Sequence, residues 1–228
     1  HVQCIYPEFQ DFLPVCDNET GEIEKLEATS GMNQFVWDMY YLPAEKVDGM
    51  ILWNGNVDGP RAAPGKYYVE IKSGNDISEK EFEIKANPVY KCTQAEYEAQ
   101  FEFLISVRDK FSEVQKTVKE ILEIRKQMNE FSGRLGKDYP KEIKSLSDSI
   151  SKKMTEVEDA LYQTKLKSNQ DILNYPMRLN DKISGLYNYA SSGNNAPTKQ
   201  VKEAFTELSD LSDDEIAKWK SLLRNEIP

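Results

Sequence analysis

Between Tyr97 and Phe131 the apolar residues recur every three or four positions: Tyr97, Phe101, Leu104, Val107, Phe111, Val114, Val118, Ile121, Ile124, Met128 and Phe131. This near-heptad spacing predicts one helix with a single apolar stripe. Thr93 and Glu96 form a capping box at its start, and Gly133 marks its end. A helix of about 38 residues is roughly 57 Å long at 1.5 Å per residue. Such a helix needs partners along most of its length.

The partners follow in the chain. Pro140 opens a second pattern with Ile143, Leu146, Ile150, Met154, Val157 and Leu161 on one face, closed by the polar run Lys167-Ser168-Asn169-Gln170. A third, shorter helix begins near Pro176 and carries Leu179, Ile183, Leu186, Tyr187 and Ala190. Pro197-Thr198 caps a fourth, with Val201, Phe205, Leu208, Leu211, Ile216, Trp219 and Leu223. Asp213-Asp214-Glu215 reads as an interruption of that helix, where acids would favour the start of a new turn. Four amphipathic helices with short connectors point to an antiparallel bundle.

Ahead of Ala86-Asn87-Pro88 the period changes to two. FLPVC, EIEKLEA, QFVWDMYY, MILWNG, APGKYYVEIK and KEFEIK read as short strands. Turn signals lie between them at Asp17–Gly21, Asp58-Gly59-Pro60 and Ser73-Gly74-Asn75-Asp76. Tyr67, Val69 and Ile71 alternate onto one face, and Phe35 and Trp37 likewise share a face, which is expected in the core. Gly31-Met32-Asn33 reads as a turn, and Asp38 is expected to bond backbone in the turn that follows it. Regularly punctuated short strands suggest a small antiparallel β-sandwich. Strands first and helices second give an α+β chain of two domains, residues 1–88 and 89–228, with Pro88 stiffening the junction.

Bulk properties narrow the function. Charged residues make up 30% and hydrophobic residues 39%, which suits long helices with one buried stripe. The net charge is −10, and residues 1–92 carry 16 acids against 8 bases. An acidic chain without a basic stripe argues against nucleic acid and against an anionic membrane surface. No apolar run is long enough to span a bilayer. No signal peptide opens the chain, and its first residue is His1, so it reads as a piece of a longer protein. The cysteines are Cys4, Cys16 and Cys92, an odd count that gives no disulfide framework. Cys4 and Cys16 can pair in an oxidising compartment, or all three stay thiols.

Catalytic sets are missing from the sequence. With His1 the only histidine there is no Ser-His-Asp or Cys-His set, no zinc site of Cys and His, and no Glu-x-x-His for a di-iron centre. Gly49 to Gly55 lacks the lysine of a phosphate loop. Acid pairs such as Asp38 with Asp48 fall on expected surface positions. No catalytic residue, metal ligand or cofactor site is therefore assigned. Asp17–Gly21 could hold calcium through oxygens or form a plain Asx turn, and Asn18-Glu19-Thr20 fits the glycosylation pattern. The aromatics offer one binding candidate. Trp37, Tyr40, Tyr41, Trp53 and Tyr68 could stack sugars or contact a partner, or could fill the core.

The stretches GMNQFVWDMYY, DGMILWNG and GPRAAPGKYYVEIK resemble the immunoglobulin-like module of flagellar hook-capping proteins. They are similar to the version at the C-terminal end of secreted bacterial proteins with sortilin-type, Asp-box (BNR) β-propellers, often labelled glycosyl hydrolases. Residues 160–186 and 194–214 resemble the helical tail of the same proteins. The resemblance runs from residue 31 onward; residues 1–30 match poorly, so the first strands of the sandwich would be missing or altered. It implies a secreted, periplasmic or outer-membrane location. It implies too that any hydrolase activity belongs to an upstream propeller, leaving this region as a non-catalytic accessory module. The expected partner is that propeller, or another protein or a glycan.

Overall fold

The structure, a computed structural model, describes residues 2–5, 30–73, 75–136 and 140–227. The predicted strands FLPVC and EIEKLEA, the Asp17–Gly21 turn and Cys16 lie outside the described residues, so the Cys4–Cys16 pairing does too.

The described elements are β1 (Val2–Ile5), β2 (Gly65–Ser73), β3 (Asp76–Ile84), α1 (Gln94–Leu135), α2 (Lys141–Leu161), a 3-10 helix (Asn169–Leu173), α3 (Leu179–Ser191) and α4 (Lys199–Glu226). They fall into two compact units that divide within α1, between Ile105 and Ser106. The junction expected at Pro88 lies inside the first unit.

The first unit comprises residues 1–43, 58–105 and 193–196. Its strands form one antiparallel sheet in the order β1-β2-β3. Strands β2 and β3 form an antiparallel hairpin that pairs Ser73 with Asp76 and Tyr67 with Phe82. Tyr67 is 2% exposed and clusters with Tyr41, Ala62, Ala63 and the α1 residues Tyr97, Phe101 and Ile105. The immunoglobulin-like sandwich expected for residues 1–88 is therefore not formed among the described residues. A sandwich needs a second sheet facing the first, and here the first turns of α1 cover the buried face instead.

Two predicted strands are not strands. QFVWDMYY makes only an isolated bridge, Tyr40 to Arg61. Met39 adopts φ 66°, which breaks the extended course. Asp38 Oδ1 accepts from the Tyr40 amide at 2.9 Å, so Asp38 does bond the following turn. Phe35 is 43% exposed and does not reach the core, whereas Trp37 packs against it. MILWNG likewise belongs to no strand and is taken up by the second unit.

That second unit holds residues 44–57, 106–192 and 197–228. Its helical half is consistent with the expected bundle. The α1 stripe from Val107 to Ile121 is buried with Ile150, Met154 and Leu161 of α2, Ile183 of α3, and Ile216 and Trp219 of α4. Cross-links fix the directions. Lys110 bonds Asp213 and Glu120 bonds Trp219, so positions ascend together and α1 and α4 run the same way. Arg125 instead pairs with Glu158, and α2 turns back after α1. Both α2 and α3 pack on α4, and they touch each other far less. Helix α4 is continuous through Asp213-Asp214-Glu215, so those acids do not interrupt it. Glu215 bonds Lys218 one turn on, and Asp213 bonds Lys110, so the acids are matched without a new helix start.

Candidate functional site

Of the five aromatics proposed as a contact platform, Tyr41 and Trp37 turn into the core of the first unit. Tyr41 is 4% exposed and meets Phe101 edge-on, with ring centroids 4.8 Å apart. Trp37 turns inward against Tyr67 and Phe82, at 6.0 and 6.3 Å, and its indole N–H donates to the Tyr40 carbonyl at 3.0 Å. Tyr68 donates its hydroxyl to Glu81 Oε2 at 3.0 Å, beside the ion pair of Glu81 with Lys66. The hydroxyl therefore sits above its usual range, chiefly through that hydrogen bond, and the Glu81 carboxyl sits below its own. Tyr40 remains exposed in the first unit, and Trp53 remains exposed in the second.

What the first unit does expose is an apolar run around them. Met32, Phe35, Val36, Met39 and Tyr40 all stand in solvent within nine residues. Alternation in the sequence marks Phe35, Val36, Met39 and Tyr40 as half-buried strand, so pattern alone missed the surface.

A second apolar surface lies on the α1–α2 hairpin. Lys153 of α2 bonds Glu226 at the end of α4. Beyond that level the hairpin runs on without α4. There Phe131 is 48% exposed, Ile143 44% and Leu146 56%. These three continue the same stripes that are buried from Val107 to Ile121 and from Ile150 to Leu161. The sequence marked them as core positions; nothing in their spacing reveals where α4 stops.

The second unit also carries a built polar site. Residues 44–57 form a compact loop whose ends are tied by the Ala44 amide donating to the Val57 carbonyl at 2.7 Å. Helix side chains lace this strap down. The amides of Glu45 and Val47 donate to Ser112 Oγ and Gln115 Oε1 of α1, at 3.1 and 3.0 Å. The Trp53 amide donates to Asp181 Oδ2 at 3.1 Å, the Asn56 amide to the Ser184 carbonyl at 3.2 Å, and Asn188 Nδ2 to the Asn54 carbonyl at 2.7 Å. Asp181 is 5% exposed, and its Oδ1 is buried without a hydrogen-bond partner. Burial pushes its carboxyl above the usual range, and the amides of Trp53 and Asn54 partly oppose this. Sequence reasoning missed Asp181 because a first-turn acid is ordinarily a dipole partner on the surface.

Among the described residues no group of three or more His, Cys, Asp and Glu is placed to hold a metal, and no helix is long and apolar enough to cross a membrane. Comparison of the chain with family models, with curated proteins and with solved structures found no match.

Proposed function

We propose that the chain is a non-catalytic accessory module that makes a protein–protein contact, its partner being a β-propeller of the same secreted polypeptide. The observation that carries the contact is the bare end of the α1–α2 hairpin. A stripe that is core for most of its length continues into solvent at Phe131, Ile143 and Leu146. Large apolar side chains left in solvent where a core stripe runs on mark interaction sites. The propeller as partner, and the secreted location, rest on the sequence resemblance.

The aromatic placement favours a protein partner over a glycan. Sugar stacking needs exposed ring faces side by side. Tyr41 is buried, Trp37 turns inward, and the Tyr68 hydroxyl is taken by Glu81.

Calorimetric titration of the chain against the separately produced propeller region tests the proposal. Dissociation constants of about micromolar or tighter are expected, corresponding to roughly −8 kcal/mol. Phe131→Asp with Leu146→Asp should abolish the heat while leaving the helical circular dichroism unchanged. No heat with the unaltered chain overturns the propeller as partner. Binding indifferent to the double variant overturns the hairpin as the site.

A further inference from the structure

The strap is held in an unusual way for a 14-residue loop. Of its apolar residues only Ala44 and Val47 are buried, while Met50, Ile51 and Leu52 are half-buried and Trp53 is 49% exposed. Its attachment is therefore mainly the set of hydrogen bonds to Ser112, Gln115, Asp181, Ser184 and Asn188. Among these anchors Asp181 alone is ionisable. One of its carboxylate oxygens receives the Trp53 amide, and the other is buried with no donor. A buried oxygen without a donor is expensive when charged and far less so when neutral.

From this geometry we propose that residues 44–57 are a proton-controlled strap, closed on α1 and α3 when Asp181 is protonated and released when Asp181 ionises. In the released form the carboxylate reaches water and the uncompensated oxygen is solvated.

The charged groups on the elements that meet there are few. Arg178, the N-cap of α3, is half-buried with its Nε lacking a hydrogen-bond partner, and Lys182, next to Asp181, is exposed. On the strap Lys46 and Asp48 are exposed, and Glu45 pairs with Lys116 and Lys119 of α1 at 2.9 and 3.9 Å. None of these charges is among the causes acting on the Asp181 carboxyl, which are burial first and then the two strap amides. The sign follows. The closed strap holds its proton more tightly than the open one, so closure is fully favoured below the ordinary aspartate value of 3.8. It weakens as pH rises from there through the raised value of the closed form.

Amide hydrogen exchange on the full chain, read by NMR and corrected for intrinsic rates, tests this between pH 4 and 8. The amides of Val47, Trp53 and Asn56 are compared with those of buried α1 residues such as Val118. Strap protection should fall with rising pH by as much as about tenfold per pH unit within the window, the limit for one linked proton. The α1 amides should not follow. In Asp181→Asn the strap should keep the protection seen in acid at every pH, because the amide retains the acceptor and cannot ionise. A pH-independent strap in the unaltered chain overturns the proposal, and so does a slope that survives in Asp181→Asn. Should that variant fail to fold, the carboxyl carbon of Asp181 in the unaltered chain decides: titration in the ordinary aspartate range overturns the proposal.

Discussion

The indole N–H of Trp219 on α4 donates to Glu120 Oε2 of α1 at 2.6 Å, while the rest of the ring is buried. One side chain thus supplies a large apolar contact and a cross-helix bond at once. The two are separable because Glu120 itself is exposed and can turn to water. Trp219→Ala should destabilise by about 3–5 kcal/mol, mostly through the cavity it leaves. Trp219→Phe should lose the bond and only part of the contact, at about 1 kcal/mol for the bond. Urea unfolding followed by circular dichroism at a helical wavelength distinguishes them. Equal losses would show that the bond, not the packing, holds α4.

Arg125 and Glu158 make the opposite case, a charge pair inside the fold. The Glu158 side chain is 6% exposed and that of Arg125 is 25% exposed. Burial pushes the Glu158 carboxyl up, and the Arg125 guanidinium opposes this. Arg125→Met should cost about 3–5 kcal/mol at neutral pH by stranding the carboxylate. The loss should shrink on acidification, since protonating Glu158 removes the stranded charge. Arg125→Met with Glu158→Leu should recover most of the stability. A variant whose stability deficit is the same at pH 5 and pH 8 would contradict this account.

Two glycines set how closely the chain approaches itself. A Cβ on Gly59 would stand 1.7 Å from the Tyr41 carbonyl oxygen, which is backbone and cannot turn aside. A Cβ on Gly55 would stand 2.0 Å from Ser184 Oγ and 2.7 Å from Leu52 Cδ1, both side-chain atoms. Gly59→Ala should therefore cost more than Gly55→Ala, with the latter near the 1–3 kcal/mol typical of overpacking, or about 2 kcal/mol. Gly55→Ala should also lower exchange protection of the strap without changing the helix content. Thermal unfolding of the two variants side by side gives the order.

The helix starts predict an acid limit to stability. Glu96 accepts from the Thr93 amide at 2.8 Å, and that bond holds its carboxyl below the usual range. Asp171 is held low in the same way by the amides of Lys167 and Ser168. Depressed carboxyls contribute stability above their ordinary values and lose it as pH falls through the lowered ones. The melting temperature should thus drop below about pH 4, where ordinary carboxyls protonate. Glu96→Gln and Asp171→Asn should flatten that drop. At α4, Thr198 accepts from the Val201 amide, and Thr198→Ala should cost about 1 kcal/mol at any pH.

Much of the helical half was legible from short-range rules. The stripe from Tyr97 to Ile121, the capping box of Thr93 and Glu96, the cap at Thr198 and the antiparallel pairing of β2 with β3 each depend on near neighbours in the chain, and each is present. The strand reading of QFVWDMYY and MILWNG failed for a different reason. Alternation reports that a segment can lie on a pleated surface, not that a neighbour exists to pair with it. At residues 35–41 only Arg61 offers a bridge, and at residues 50–56 Asp181, Ser184 and Asn188 satisfy the backbone in place of a strand.

By itself the sequence determined where helices begin, which of their faces are apolar and where the β-hairpin turns, because local sterics and hydrogen bonding settle these. Tertiary structure alone decided that one sheet packs on α1 rather than on a second sheet, that α1 and α4 run parallel, and that Phe131 and Leu146 stand bare while Asp181 is buried. Those outcomes depend on which distant surfaces meet and where a partner helix ends. A residue's burial is set by that meeting and is not written in its own spacing.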